Sequence, residues 1–134
     1  MSKSSFFKDY QFGISTEFEI LPLISKYFKS NIVRSNEKFN KFDYYDDKCK
    51  YELKSRNNNY NTYPTTLIAV DKVINDDIIF LFKFQDGLYY IKYDDTLFNN
   101  FEKKLFVRNQ RRDYNDIKKE YFFIPIEKLT KIEI

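Results

Sequence analysis

Side chains alternate between the two faces of a strand with a period of two. In the stretch Lys41 to Arg56, KFDYYDDKCKYELKSR, that period gathers the residues able to do chemistry. Lys50, Glu52, Lys54 and Arg56 fall on one face, and Tyr51, Leu53 and Ser55 on the other. A turn around Asp46 to Lys48, with Asp47-Lys48 as a two-residue loop, sets Asp43 directly across from Glu52. A four-residue loop keeps that pairing, and a register shift of two leaves the carboxylates diagonal on the same face. Phe42 and Tyr44 then join Tyr51 and Leu53 on an apolar face. Two converging carboxylates repel each other unless a divalent cation lies between them. Mg²⁺ suits such a pair, with Mn²⁺ as a substitute, because it takes one or two carboxylates, an occasional backbone carbonyl and phosphate oxygens. A lysine two residues beyond the second carboxylate brings its ammonium to the same place. There it can orient or deprotonate a water, or neutralise charge developing on a phosphodiester.

Composition removes the competing chemistries. The 134 residues include no His, no Trp, one Cys and two Gly, so a Ser-His-Asp triad, a Cys-His pair, a cysteine zinc site and a glycine-rich phosphate loop are all excluded. Net charge is +3, compatible with a polyanionic partner without requiring one. Lys, Phe, Ile, Tyr and Asn make up more than half the chain. All five have A/T-rich codons, so aromatic richness alone carries no functional weight. The N-terminus lacks the apolar core of a signal peptide, and the longest apolar runs are strand-sized. With one thiol and no cystine framework, an intracellular compartment and no membrane are expected.

The elements that must position Asp43, Glu52 and Lys54 follow from pattern. The sequence predicts a helix over Ser15 to Ser30, capped at Ser15 or Thr16 with Glu19 closing a capping box. Its apolar stripe is Phe18, Leu21, Ile24 and Phe28, and Pro22 implies a kink or a later start. Residues 1–12 read as a polar leader. Strands are predicted over Ile32 to Arg34, Phe42 to Tyr45, Cys49 to Arg56 and Thr65 to Val70, with a polar loop from Asn57 to Thr62. A hairpin joins Ile78 to Phe84 with Leu88 to Tyr93 through Gln85-Asp86-Gly87. A short helix over Thr96 to Leu105, a charged loop over Arg108 to Glu120 and a strand over Tyr121 to Ile126 complete one domain, 1–134, of α+β or mixed α/β class.

Asp43, eight intervening residues, then Glu52-Leu53-Lys54 resembles the signature of the PD-(D/E)xK nuclease superfamily, which has the restriction-endonuclease-like fold. The likeness covers roughly Gly13 to Lys72, and Phe42 stands where the signature has Pro. It implies a central mixed β-sheet with flanking helices, the first helix preceding the catalytic hairpin. It further implies a Mg²⁺ held by Asp43, Glu52 and the Leu53 carbonyl, with Lys54 assisting the nucleophile. An acidic residue on the preceding helix completes such sites, and Glu17 has the right order. Its helical spacing with Leu21, Ile24 and Phe28 turns its carboxylate inward. The activity implied is hydrolysis of DNA phosphodiesters by a homodimer. Structure-selective cleavage of junctions, nicks or ends, of the kind used in recombination and repair, fits better than reading a sequence. A compact A/T-biased nuclease would suit a virus or mobile element.

Accessory substrate contacts are expected from Arg56, Tyr60, Tyr63, Thr65 and Lys72, and from the cluster Arg108, Arg111 and Arg112, since hydroxyls and guanidinium forks bind phosphate. A non-catalytic nucleic-acid-binding or assembly protein and a structural subunit pairing through its hairpins are the alternatives. In each, Asp43, Glu52 and Lys54 would be a solvated face with cross-strand ion pairs.

Overall fold

The computed structural model describes residues 3–35, 42–72, 77–108 and 117–133, with side chains for 16–35, 42–71, 77–105 and 119–133. Its organising element is β5, Ile78–Phe84, in which every side chain except Lys83 is buried. An apolar run without alternation requires cover on both faces of its sheet. β3, Lys50–Ser55, runs parallel to β5 on one side, and β6, Gly87–Lys92, runs antiparallel on the other. The full sheet has the order β1-β2-β3-β5-β6-β9, with β1 at Val33–Arg34, β2 at Tyr44–Tyr45 and β9 at Thr130–Lys131.

One face is covered by helix α1, Lys3–Phe28, whose Ile20 and Ile24 pack with Tyr44, Tyr51, Ile79 and Leu81. The opposite face is covered by a second, antiparallel sheet of order β4-β8-β7 (Thr65–Ala69, Ile117–Pro125, Glu102–Arg108) and by α2, Asp95–Asn99. Phe80, Phe82 and Phe84 of β5 meet Ile68, Phe122 and Ile124 of that sheet and Phe98 of α2. The fold is therefore mixed α+β and mostly β, with two helices among the described residues. None of these helices is long and apolar enough to cross a membrane.

Several expectations need correction. The helix does not begin at Thr16: it starts at Lys3 and takes in most of the expected leader, so no capping box opens it there. Pro22 lies inside α1. Proline removes the hydrogen bond to the carbonyl four residues earlier, on Phe18. Both Pro22 and Phe18 are exposed, so water can satisfy that carbonyl. Phe18 is thus outside the apolar stripe and lies 4.6 Å beneath the Arg34 guanidinium. The helix expected over Thr96 to Leu105 stops at Asn99. The rest becomes β7, and of the charged loop expected over Arg108 to Glu120, Arg108 ends β7, 117–120 belong to a further strand and 109–116 lie outside the described residues. The second covering layer of the sheet is therefore β-strand more than helix.

The β2–β3 hairpin has the expected register, Tyr44 opposite Tyr51 and Tyr45 opposite Lys50, with Asp47-Lys48 as its loop. Asp46 fixes it. Its carboxylate accepts from the Lys48 and Cys49 amides at 2.9 and 2.6 Å, and from Ser30 Oγ and Tyr51 Oη at 2.7 Å each. Burial alone would raise its pKa, but these four donors outweigh burial and hold it at about 2. A depressed carboxylate contributes stability above its ordinary pKa of 3.8, and this is lost as pH falls toward about 2. Asp46→Ala should therefore cost about 1–3 kcal/mol at neutral pH, and urea denaturation should show its deficit narrowing below pH 3.8.

Candidate metal and phosphodiester site

The site is built on an open strand edge. Lys50 and Arg56 donate their amides to Asp77 and Lys83 on the β5 side, both at 2.8 Å. The odd-numbered residues of β3 accordingly direct their backbone groups toward β2. β2 begins only at Tyr44, so Leu53 has no ladder partner there, and the Asp43 carboxylate replaces one, accepting from the Leu53 amide at 2.8 Å. The Leu53 carbonyl points to the same side of β3 as its amide. The backbone bends at Asp43, which also corrects the position of Phe42: it leaves the Tyr44–Tyr51 face and joins the Phe80–Phe82 cluster, with Lys50 Nζ 5.3 Å from its ring centre.

Glu17 reaches this edge from α1, as its helical position predicts. Its Oε2 is 3.0 Å from Arg34 Nε and 2.9 Å from Nη2. Its backbone carbonyl accepts from Tyr44 Oη at 2.6 Å. Burial raises the Glu17 pKa most; Arg34 opposes that, and the neighbouring Asp43 carboxylate adds to it. Burial and the same two carboxylates also push the Tyr44 phenol up, so it remains a neutral donor. Glu19 is exposed on the same helix, leaving Glu17 as the helical acid at the site.

The ladder ends with Tyr44 opposite Tyr51, and the Asp43 amide also donates to the Tyr51 carbonyl, at 3.0 Å, so the expected direct pairing of Asp43 with Glu52 is not kept. Glu52 is on the Phe80–Phe82 side of the sheet with its side chain only 7% exposed, and Lys54 Nζ lies 3.3 Å from its Oε1. The face expected to be a polar surface is thus half covered by the second sheet. Among the described residues no three His, Cys, Asp or Glu side chains form a ready-made ligand cluster. Oxygen donors presented singly and in pairs, as Glu17 is beside Asp43, fit Mg²⁺, which typically takes one or two carboxylates and completes its shell with water and phosphate.

The accessory residues divide. Arg56 is a tie between the sheets: Nε is 3.3 Å from Thr66 Oγ1 and Nη2 is 2.7 Å from the Leu67 carbonyl. Tyr60 donates to the Ile126 carbonyl at 2.8 Å and stacks on Tyr89 at 4.2 Å, so it closes a wall. Tyr63 is 61% exposed, and with Thr65, Lys54 and Arg56 it borders a groove of about 590 Å³. Lys72 ends a 3₁₀ turn, Val70–Lys72, and Arg108 ends β7. Their side chains, and all of Arg111 and Arg112, lie outside the described residues.

Arg34, which sequence reasoning missed, neutralises Glu17. The signal was an inward carboxylate needing a cation, with an arginine directly after the apolar Ile32-Val33. Arg34→Ala leaves Glu17 and Asp43 without that guanidinium, so Glu17 should keep its proton to still higher pH in the folded protein. A raised carboxylate loses stability as pH rises through its folded pKa. The variant should be less stable than wild type by about 1–2 kcal/mol at pH 7. Urea denaturation across pH should show the gap closing toward the ordinary glutamate value of 4.5, and an equal deficit at every pH would contradict this account. Comparison with protein-family models, curated proteins and solved structures returns no match, so the site is read from its own geometry.

Proposed function

We propose that this protein is a divalent-metal-dependent DNA endonuclease with a restriction-endonuclease-like core. One observation carries the reading: the open edge of β3, where the Asp43 carboxylate is fastened to the Leu53 amide at 2.8 Å, between Glu52 and a Lys54 whose Nζ stands 3.3 Å from the Glu52 carboxylate. Asp43 and Glu52 would hold Mg²⁺ or Mn²⁺, with Glu17 and the Leu53 carbonyl as further donors. Such an ion supplies Lewis-acid polarisation of phosphoryl oxygen and a more acidic water. Lys54, held by Glu52 and 30% exposed, donates to the attacking water or to the phosphodiester oxygen that gains charge. Arg34 opposes the rise that burial and Asp43 impose on the Glu17 pKa and holds its carboxylate beside Asp43.

Helix α1 packs on the sheet through Ile20 and Ile24 and α2 is five residues long, which leaves no free recognition helix among the described residues and favours structure-selective cleavage by a homodimer with one site per strand. A second reading, a nucleic-acid-binding protein without turnover, is favoured by the Arg34 guanidinium already occupying Glu17.

Cleavage of plasmid and branched DNA in Mg²⁺ or Mn²⁺ tests the choice. Activity should fall by about 100-fold or more in Glu52→Gln and in Lys54→Ala. Because Glu52→Gln also removes a buried charge, the metal-free variant should be at least as stable as metal-free wild type in thermal unfolding. No cleavage by wild type with either ion, or undiminished cleavage by both variants, overturns the assignment.

A further inference from the structure

The three-stranded sheet has two unlike faces. Ile68, Phe122 and Ile124 point into the core, whereas Leu67, Tyr121 and Phe123, together with the buried Thr66 and Phe84, line the groove of about 590 Å³. That volume lies within the roughly 300–1,000 Å³ of ordinary ligand sites. Three cations, Lys54, Arg56 and Lys119, line the groove, and among the described residues no acidic side chain does. Tyr63, 61% exposed, stands at the end where β4 begins. Lys119 stands further along β8, where its pairing with Asp71, at 3.5 Å between half-exposed side chains, is weak.

Aromatic side chains bordered by cations, with Lys104 Nζ 5.5 Å from the Phe123 ring centre, suit a polyanion that also offers flat apolar faces. Single-stranded DNA offers both, because its bases are free to stack on protein rings. Duplex DNA hides its base faces within the stack. Lys54 belongs to both the groove and the candidate site, so a strand in the groove has its backbone at the reactive edge. We infer that this groove binds single-stranded DNA, its bases against Tyr63, Tyr121 and Phe123 and its phosphates along Arg56 and Lys119. The substrate class is then DNA with an unpaired segment beside the cleaved bond, a deduction that rests on the nuclease reading.

Fluorescence anisotropy in EDTA separates the two. A labelled oligothymidylate of about twelve nucleotides should bind about tenfold or more tightly than a blunt duplex of equal length, and Tyr63→Ala and Tyr121→Ala should each weaken it about fivefold or more. Tyr121→Phe should keep the affinity, separating loss of a ring from loss of fold, and Lys119→Gln should lower the salt slope by about one. Equal or tighter duplex binding, or unchanged affinity in both alanine variants, overturns the inference. Single-strand binding that passes these criteria without cleavage in Mg²⁺ or Mn²⁺ supports the groove and sinks the nuclease reading. Duplex cleavage without single-strand preference does the reverse.

Discussion

A strand that is apolar on both faces cannot present either of them to water, and β5 is such a strand. The two layers that enclose it, α1 on one side and the β4-β8-β7 sheet on the other, follow from that requirement. So does the placing of its neighbour: β3 must lie between the same layers, its odd-numbered side chains toward the helix and its even-numbered ones toward the second sheet. Glu52 and Lys54 are even-numbered. They are thus drawn to the margin of a phenylalanine-lined interior, where a carboxylate is costly to bury and interacts strongly with whatever cation is near.

The second consequence is electrostatic. β2 gives way before it can pair with Leu53, and a carboxylate takes the place of a carbonyl. Replacing a neutral acceptor by a charged one strengthens the bond and leaves a negative charge at a sheet edge. Glu17 arrives at the same edge from the helix, and Arg34, at the end of β1, keeps the two acids from standing alone. The three elements covering this edge are thus held by polar contacts as much as by packing, Tyr44 linking the helix backbone to β2 through its hydroxyl.

What could be read in the sequence was what depends on local parity and turn chemistry. The Asp47-Lys48 loop and the period of two determine which residues of Phe42 to Arg56 can be opposite one another. The Gln85-Asp86 turn is equally local. Properties that depend on distant partners were not legible. Leu97, Phe98, Phe101 and Leu105 have helical spacing, yet pairing with β8 makes a strand of everything from Glu102, tertiary pairing overriding propensity. The bend at Asp43 reverses Phe42 against any strict alternation. Arg34 meets an acid seventeen positions earlier in the chain, and no short-range pattern announces that. The aromatic excess remains explicable by codon bias, but bias does not choose location. Tyr121 and Phe123 alternate with the buried Phe122, so only placement separates core from groove lining.

The two borders of the larger sheet, β1 and β9, are each two residues long. In the smaller sheet, β7 has the exposed Lys103 and Lys104 on one border, and the Leu67 carbonyl of β4 is already claimed by Arg56 on the other. Unpaired strand edges are templates for recruiting further strands, and short or lysine-bearing edges blunt them. A chain that is one-fifth aromatic and built mostly of strands carries abundant material for fibrils. The larger sheet ends where another copy would gain only a rung or two of hydrogen bonds, and the smaller one ends on lysines and on a carbonyl already in use, so crowding should favour the folded molecule over stacked polymers.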